Sequence, residues 1–229
     1  MSPIPRNDHR ERSTKISLLA WLLAGLFAGG CFLPWEFGPK IHFGASDVGK
    51  VPKGFSTALT GGGGPVSWVV REDSTAPDGH AVVVQESADT TEYRFPICVY
   101  DKFKARDVAA EVSFKAISGK LDEAGGIVLR YRPENYYIAR ANALENNVIL
   151  FKTVNGKRSH IQEVPVKVTP GQWHTLRFEA KGQHLKISLD GQVVLERDDD
   201  TFSNSGKVGL WTKADSVTAF NDLKIERVR

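Results

Sequence analysis

The chain has 229 residues, a net charge of +3, and contents of 41% hydrophobic and 25% charged residues, all ordinary for a globular protein. Residues 1–30 supply four of the 30 basic side chains and two of the 27 acidic ones, so the remainder is almost neutral. This balance lacks the basic excess that nucleic-acid binding requires, and we expect no nucleic-acid partner. The length suits one β-domain of ordinary size preceded by a leader.

The N-terminal segment has the pattern of an export signal. The polar stretch Met1–Lys15 carries four basic side chains, and the almost wholly apolar run Ile16–Leu33 follows it directly. A run of about 18 apolar residues would form a leader helix just long enough to stay in a bilayer as an anchor. The basic residues would keep Met1 in the cytoplasm and direct the rest of the chain outward. We therefore predict that residues 1–30 are a signal peptide or a membrane anchor.

The end of this leader resembles a bacterial lipobox, in which a cysteine becomes the lipidated first residue. The sequence is Ala28-Gly29-Gly30-Cys31, with alanine where that motif usually has leucine. Lipidation of Cys31, simple cleavage, and retention of the leader are the fates left open. Each places the domain outside the cytoplasm, so we expect a bacterial cell-envelope protein, periplasmic or extracellular. The membrane would then be a partner, through the leader or a lipid.

Residues 31–65 are rich in Gly, Pro and Lys and end in the run Gly61–Gly64. This composition predicts a tether that leads into a domain of residues 66–229. Within the tether, the short stretch after the segment PKGF is a candidate edge strand.

Short strand patterns separated by turn signals follow from Val66 onward. Val108–Ile117 alternates apolar and polar residues, as a half-buried strand does. Asn155-Gly156 and Asp190-Gly191 each separate two strand patterns, which indicates two-residue hairpin turns. About a dozen strands and no convincing helix predict an all-β domain, an antiparallel sandwich or barrel.

Three strands, Gly126–Arg132, Tyr136–Asn142 and Val148–Thr153, form the centre of the predicted sheet. Residues two apart on a strand share a face, so we expect one apolar and one polar surface. On the first strand this rule puts Val128 and Arg130 on one face, and Ile127, Leu129 and Tyr131 on the other. On the second strand it puts Tyr136, Ile138, Arg140 and Asn142 on one face, and Tyr137, Ala139 and Ala141 on the other.

The polar surface is the predicted ligand face. Planar forked donors beside aromatic rings suit a ligand with many hydroxyls or a carboxylate. Trp211 and Lys213 share a face of the strand Lys207–Lys213, and the indole could stack on a sugar ring. A solvated face, and core packing for Trp211, are the alternatives left open. The predicted carbohydrate-binding residues are Arg130, Tyr136, Arg140, Asn142, Trp211 and Lys213.

Motifs for catalysis are weak. A retaining glucanase on such a sheet needs Glu-x-Asp-x-Glu on one strand, and the nearest segment is Glu196-Arg197-Asp198-Asp199-Asp200. No pair of histidines has metal-ligand spacing, so we expect no metal and no cofactor. The best carboxylates for an acid or base are Glu134, Glu145 and Asp215.

Four segments in succession carry a family pattern: RYRPENYYIARANALENNVILFKTVNGKR, PGQWHTLRFEAKG, LDGQVVLE and KVGLWTKADSVTAFNDLKI. Together they resemble the concanavalin A-like lectin/glucanase superfamily, and more closely the laminin-G-like and "domain of unknown function 1080" proteins of bacteria. The resemblance covers about Val66 to Val228. It implies a jelly-roll sandwich of two antiparallel sheets whose concave sheet often binds carbohydrate. Some relatives of the 1080 group are 3-keto-disaccharide or 3-keto-glycoside hydrolases. The usual ending FDDL reads Phe220-Asn221-Asp222-Leu223 here, which removes one ligand for a structural cation such as calcium.

Three hypotheses for function follow. The first is an exported, membrane-tethered module that binds a carbohydrate or glycoconjugate without cleaving it. The second is an enzyme acting on 3-keto-glycosides, in which Arg140 or Lys213 polarises the carbonyl and Glu134, Glu145 or Asp215 removes a proton. The third is a structural or interaction domain of the cell envelope.

Overall fold

The computed structural model describes residues 1–3 and 38–229. The predicted leader helix and the predicted lipidation of Cys31 lie outside these residues. Within the described ranges, no helix is long and apolar enough to cross a membrane. Their helical structure is limited to a single 3-10 turn, Ala45–Asp47.

Two antiparallel sheets make up the domain. The back sheet runs in the order β13 (Gln192–Asp198), β12 (His184–Leu189), β11 (Trp173–Lys181), β6 (Val108–Ser118), β15 (Val217–Arg227), β4 (Ala81–Gln85) and β3 (Trp68–Glu72), with β1 (Lys40–Ile41) paired to β15. The front sheet runs in the order β10 (Lys157–Pro165), β9 (Asn147–Val154), β8 (Asn135–Asn142), β7 (Ala124–Arg132), β14 (Gly206–Trp211), β5 (Arg94–Ala105) and β2 (Phe55–Gly61). Neighbouring strands in both sheets are antiparallel. The predicted all-β sandwich is confirmed.

The core lies between the two sheets, as the alternation in the sequence predicts. The apolar residues of β6 that face it are Val108, Ala110, Val112, Phe114 and Ala116. Ile127, Leu129 and Tyr137 of the front sheet belong to the same cluster. Removing this apolar surface from water is the main force that holds the two sheets together.

The described part of the predicted tether contains paired strands. β1 pairs with β15, and β2 pairs with β5 as an edge strand of the front sheet. The candidate edge strand after PKGF is thereby confirmed. The sandwich therefore begins before residue 66, because the Gly and Lys residues of this segment do not prevent the pairing of an edge strand.

A β-bulge in β7 changes the direction of two side chains. Pairing with β8 is regular up to Leu129 and resumes only at Arg132. Arg130 has a left-handed backbone (φ 53°), and its guanidinium lies 5.9 Å from the core-facing Tyr137 ring. Tyr131 packs instead against the apolar cluster on the outer face. The predicted faces of Arg130 and Tyr131 are therefore wrong, since one extra residue shifts the two-residue alternation.

Arg130 links three loops through hydrogen bonds. Its guanidinium donates hydrogen bonds to the backbone carbonyls of Arg106 (2.8 Å), Gly182 (2.8 Å) and Phe202 (2.5 Å). The side chain is almost fully buried. Arg130 therefore stabilises the end of the sandwich where these loops meet, and it does not lie on the predicted ligand face.

We expect the domain to lose stability in acid partly through Asp199. Burial acts to raise the pKa of this carboxyl, but Lys152, Thr201 and Tyr137 outweigh burial and lower the pKa to about 2. The folded pKa then lies below the unfolded value of about 3.9. The stabilisation is therefore present above the unfolded pKa and is lost as the pH falls from about 5 to 2. Over that range, the free energy of unfolding of the unaltered chain should fall by about 1–2 kcal/mol more than that of Asp199→Asn. Urea unfolding at each pH measures this difference, and parallel pH profiles would contradict it.

Candidate functional site

An apolar layer covers the outer face of the front sheet, which points away from the core. Trp211 stacks on Phe95 with ring centres 5.6 Å apart and planes 20° apart. The guanidinium carbon of Arg158 lies 4.4 Å from the centre of the Phe95 ring and 4.3 Å from that of Phe151. Both distances are within cation–π range. Phe95, Phe151 and Trp211 thus form an aromatic floor that holds the Arg158 guanidinium in place.

A buried carboxylate lies at one end of this face. The side chain of Asp122 is fully buried, and its oxygens accept hydrogen bonds from Lys213 Nζ (2.6 Å) and Asn142 Nδ2 (2.9 Å). Arg140 Nη1 is 3.6 Å from the same carboxylate. Burial raises the pKa of Asp122 by more than Arg140 and Lys213 lower it. We call Asp122, Arg140, Asn142 and Lys213 the Asp122 cluster.

Arg140 also contacts the rim of the face. Its Nη2 donates to Glu145 Oε2 (2.5 Å) and to Asn147 Oδ1 (2.6 Å), and Asn147 Nδ2 donates to Glu163 Oε1 (2.7 Å). Burial acts to raise the pKa of Glu145, but Arg140 outweighs burial and the pKa is lowered. The rim carboxylate therefore stays ionised and fixed in direction.

The loop before β7 is held in place by Asp215. This carboxylate accepts hydrogen bonds from the backbone N–H groups of Lys120 (2.7 Å), Leu121 (3.1 Å) and Asp122 (3.1 Å). Burial acts to raise the pKa of Asp215, but these amides outweigh it and lower the pKa. Asp215 therefore positions Asp122, and its oxygens are occupied by the backbone.

The structure brings together three of the six residues predicted for ligand binding. Arg140, Asn142 and Lys213 meet in the Asp122 cluster. Tyr136 lies on the same face of β8 but is fully buried, with its hydroxyl donating to Thr60 Oγ1 (2.9 Å). Trp211 is also fully buried beside Phe95. Its indole therefore packs like a core residue and has no exposed face on which a sugar could stack. Arg130 lies elsewhere because of the bulge. Lys213, Arg158 and Glu145 are side chains of this part of the face that reach solvent, and we call them the mouth of the site.

The three carboxylates predicted for acid–base chemistry occupy different environments. Glu134 is exposed in the turn between β7 and β8. Glu145 is paired with Arg140, and Asp215 holds backbone amides. The carboxylate that the structure places beside Lys213 and Arg140 is Asp122, which sequence reasoning missed.

Arg158 was also missed, although the sequence carried a signal for it. It follows the predicted turn Asn155-Gly156, and the hairpin register pairs it with Thr153, which pairs in turn with Tyr136. Directly opposed residues share a face, so this register places Arg158 beside the predicted ligand face. Asp122 carried no such signal, because it lies in a loop whose position depends on Asp215.

The described residues contain no group of three or more His, Cys, Asp or Glu side chains that could hold a metal ion. Asn221, which stands where the family motif has aspartate, donates to the backbone carbonyls of Asp78 (3.3 Å) and Ala81 (3.2 Å). Its carbonyl oxygen accepts the Asp78 N–H (3.2 Å). Asn221 thus ties together two backbone segments.

The family model of the 3-keto-alpha-glucoside-1,2-lyase-like domain matches residues 53–226. The chain belongs to this family. The match confirms the resemblance seen in the four sequence segments, and it begins before residue 66, as the sandwich itself does.

One curated protein and two solved structures are similar to parts of this lyase-like domain. The levanase of Bacillus subtilis (strain 168) is 34% identical over 107 residues, which are 45% of this chain and 15% of the levanase. The carbohydrate-binding module CBM66 from Bacillus subtilis superimposes with a TM-score of 0.61 at 24% identity, over 76% of this chain and 95% of the module. A Bacillus licheniformis beta-glucanase superimposes with a TM-score of 0.56 at 15% identity, over 84% of this chain and 99% of the glucanase. The predicted concanavalin A-like fold is confirmed.

Proposed function

We propose that this lyase-like domain binds a carbohydrate at the mouth formed by Lys213, Arg158 and Glu145. The observation that carries the proposal is the Asp122 cluster, in which a buried carboxylate fixes an ammonium, a guanidinium and an amide beside one another. A site made of prepositioned donors and acceptors suits the paired donor and acceptor character of sugar hydroxyls. The similarity to CBM66 and to a levanase segment supports this proposal.

The fully buried members of the cluster act by positioning. Arg140 lies behind Glu145 and Asn147 and holds both side chains through Nη2. Asp122 holds Lys213 in the same way. Prepositioned groups lose little conformational freedom when a ligand binds, so they retain more of the interaction energy as affinity.

The apolar leader and the Cys31 motif support export and tethering of this binding domain at the cell envelope. The intact mass of the chain taken from the membrane fraction tests this part of the proposal. A diacylglyceryl group on Cys31 indicates a lipoprotein, an uncleaved mass indicates an anchor, and absence of the chain from that fraction contradicts tethering.

We expect Arg140→Ala to weaken sugar binding by at least about tenfold, because Glu145 and Asn147 lose the donor that orients them. The measurement is calorimetric titration of the purified full chain with fructan, glucan, arabinan, polyuronate and 3-keto-disaccharide probes. The matched control is Arg71→Ala, which removes an exposed back-sheet arginine paired with Glu86 and should leave affinity unchanged. Failure of every probe to bind saturably, or equal affinity of the Arg140→Ala variant, would overturn the proposal.

A 1,2-lyase acting on 3-keto-glycosides is the second candidate, favoured by the family match and by the accessible Glu145 carboxylate and Lys213 ammonium at the same mouth. In such a reaction Glu145 takes the proton from C2, next to the carbonyl, while Lys213 polarises the carbonyl oxygen. The electron pair then forms the C1=C2 bond and expels the C1 oxygen, which takes that proton back from Glu145 and leaves as the free alcohol. Mass spectrometry of the 3-keto-disaccharide titrations detects this elimination. Turnover that disappears in Glu145→Gln would establish the lyase and overturn simple binding.

A further inference from the structure

Several N–H donors beside the proposed mouth lack an acceptor. Arg140 Nε, Arg158 Nη1 and Trp211 Nε1 are buried and make no hydrogen bond. Buried polar groups are rarely left unpaired in folded proteins, and such cases often mark a place where a ligand or ion belongs. Arginine and tryptophan side chains carry donors only. The missing partner must therefore supply acceptors.

Among the described residues of this region, Arg158 is a cation with no carboxylate within ion-pair distance. The carboxylates of Asp122 and Glu145 contact the cationic groups of Arg140 and Lys213, so two negative charges offset two positive ones. No carboxylate of residues 38–229 lies within 4.0 Å of the Arg158 guanidinium, so Arg158 forms no ion pair with these residues. Burial and the nearby Arg140 lower the pKa of Arg158, yet a guanidinium remains charged in proteins.

The aromatic floor fixes this guanidinium in one orientation. The guanidinium carbons of Arg158 and Arg140 lie 4.3 Å and 5.7 Å from the centre of the same Phe151 ring. The backbone of Arg158 is held as well, because its N–H donates to the Tyr93 hydroxyl (2.5 Å). A planar fork held in this way matches the geometry of a carboxylate, which can accept two parallel hydrogen bonds.

A second positive group lies at the other end of the same face. Lys104, Arg132 and Lys207 line a cavity of about 360 Å³ together with Tyr131 of the outer apolar cluster. Lys207 is paired with Asp101 at 2.7 Å, and Arg132 donates to the Ser205 carbonyl. The outer face therefore extends between two groups of cations.

We propose that the ligand of this face is an acidic oligosaccharide, with one uronate carboxylate held by the Arg158 fork and the chain extending toward Lys104, Arg132 and Lys207. The inference rests on the proposed carbohydrate-binding function and narrows it to carboxylate-bearing sugars. A planar carboxylate supplies both the acceptors and the negative charge that the face lacks. A neutral sugar would leave the Arg158 charge uncompensated.

The test uses the purified full chain and matched pairs of trisaccharides. Trimers that contain galacturonate, mannuronate or glucuronate are titrated beside their carboxyl-reduced, neutral counterparts and beside sulfated forms of those neutral trimers. We expect at least one acidic trimer to bind tenfold or more tightly than its neutral counterpart, and added salt to weaken only the acidic one. Arg158→Gln should remove the preference, and Arg158→Lys, which keeps the charge and loses the fork, should retain part of it. Arg71→Gln on the back sheet is the matched control, and thermal unfolding verifies that each variant is folded.

The outcomes separate this inference from the proposed function. Equal affinity for acidic and neutral trimers overturns the acidic ligand while carbohydrate binding stands. A preference that survives in Arg158→Gln overturns the role of the fork. Binding of sulfated trimers alone overturns the carboxylate in favour of a different anion. Absence of binding to every probe overturns both proposals.

Discussion

Replacing Asp122 by leucine is expected to lower the free energy of unfolding by about 3–5 kcal/mol. The carboxylate is fully buried, and its loss leaves the buried Arg140 guanidinium with Glu145 alone and Lys213 with no carboxylate partner. An uncompensated buried charge costs more than the pair itself contributes, which is why removing one partner is so damaging. Equilibrium urea unfolding near neutral pH measures the change.

Two further variants serve as comparisons for this prediction. Asp122→Asn keeps the shape and part of the hydrogen bonding, so its effect should be smaller. Asp101→Ala breaks the exposed pair with Lys207 (2.7 Å) and should cost no more than about 1 kcal/mol. Equal losses for Asp122→Leu and Asp101→Ala would show that the cluster contributes nothing beyond a surface ion pair.

Arg130→Leu is expected to destabilise the domain by about 3 kcal/mol or more without weakening sugar binding. The substitution leaves the carbonyls of Arg106, Gly182 and Phe202 without their donor, and each buried unpaired acceptor costs about 1–3 kcal/mol. The side chain lies on the core side of β7, away from the mouth of the site. Urea unfolding gives the stability, and titration well below the unfolding temperature gives the affinity.

Arg197→Leu is the matched control for this prediction. Arg197 is exposed on β13, and its replacement should change the free energy of unfolding by no more than about 0.5 kcal/mol. A fall in sugar affinity of Arg130→Leu at full native population would show that the bulged arginine acts on the ligand after all.

The fold was predictable because alternation and turn chemistry are local properties. β6 buries the residues that the two-residue period selects, whereas β8 is buried on both faces. The two predicted hairpins have positive φ at Asn155, Gly156, Asp190 and Gly191, as such turns require. β2 lies inside a Gly- and Lys-rich segment and was predicted only as a candidate edge strand, because an edge strand needs fewer apolar residues than a central one.

The site was predictable only in part, because its chemistry depends on contacts distant in sequence. Arg140 and Asn142 were found from their position on β8. Asp122 reaches Lys213 across 91 residues, and no local pattern predicts that contact. The Arg130 error has a different cause, since a single bulge residue reverses every later assignment on the strand.

The position of β15 has a consequence for how the chain is made. This strand lies in the middle of the back sheet between β6 and β4, yet it is synthesised after every other strand of the sandwich. About a hundred residues are synthesised between β6 and its partner β15, and still more between β4 and β15. The edge of each strand that faces β15 stays unpaired during that time. On a translating ribosome the back sheet cannot close, and any chain that stops before residue 217 presents two open edges to its neighbours.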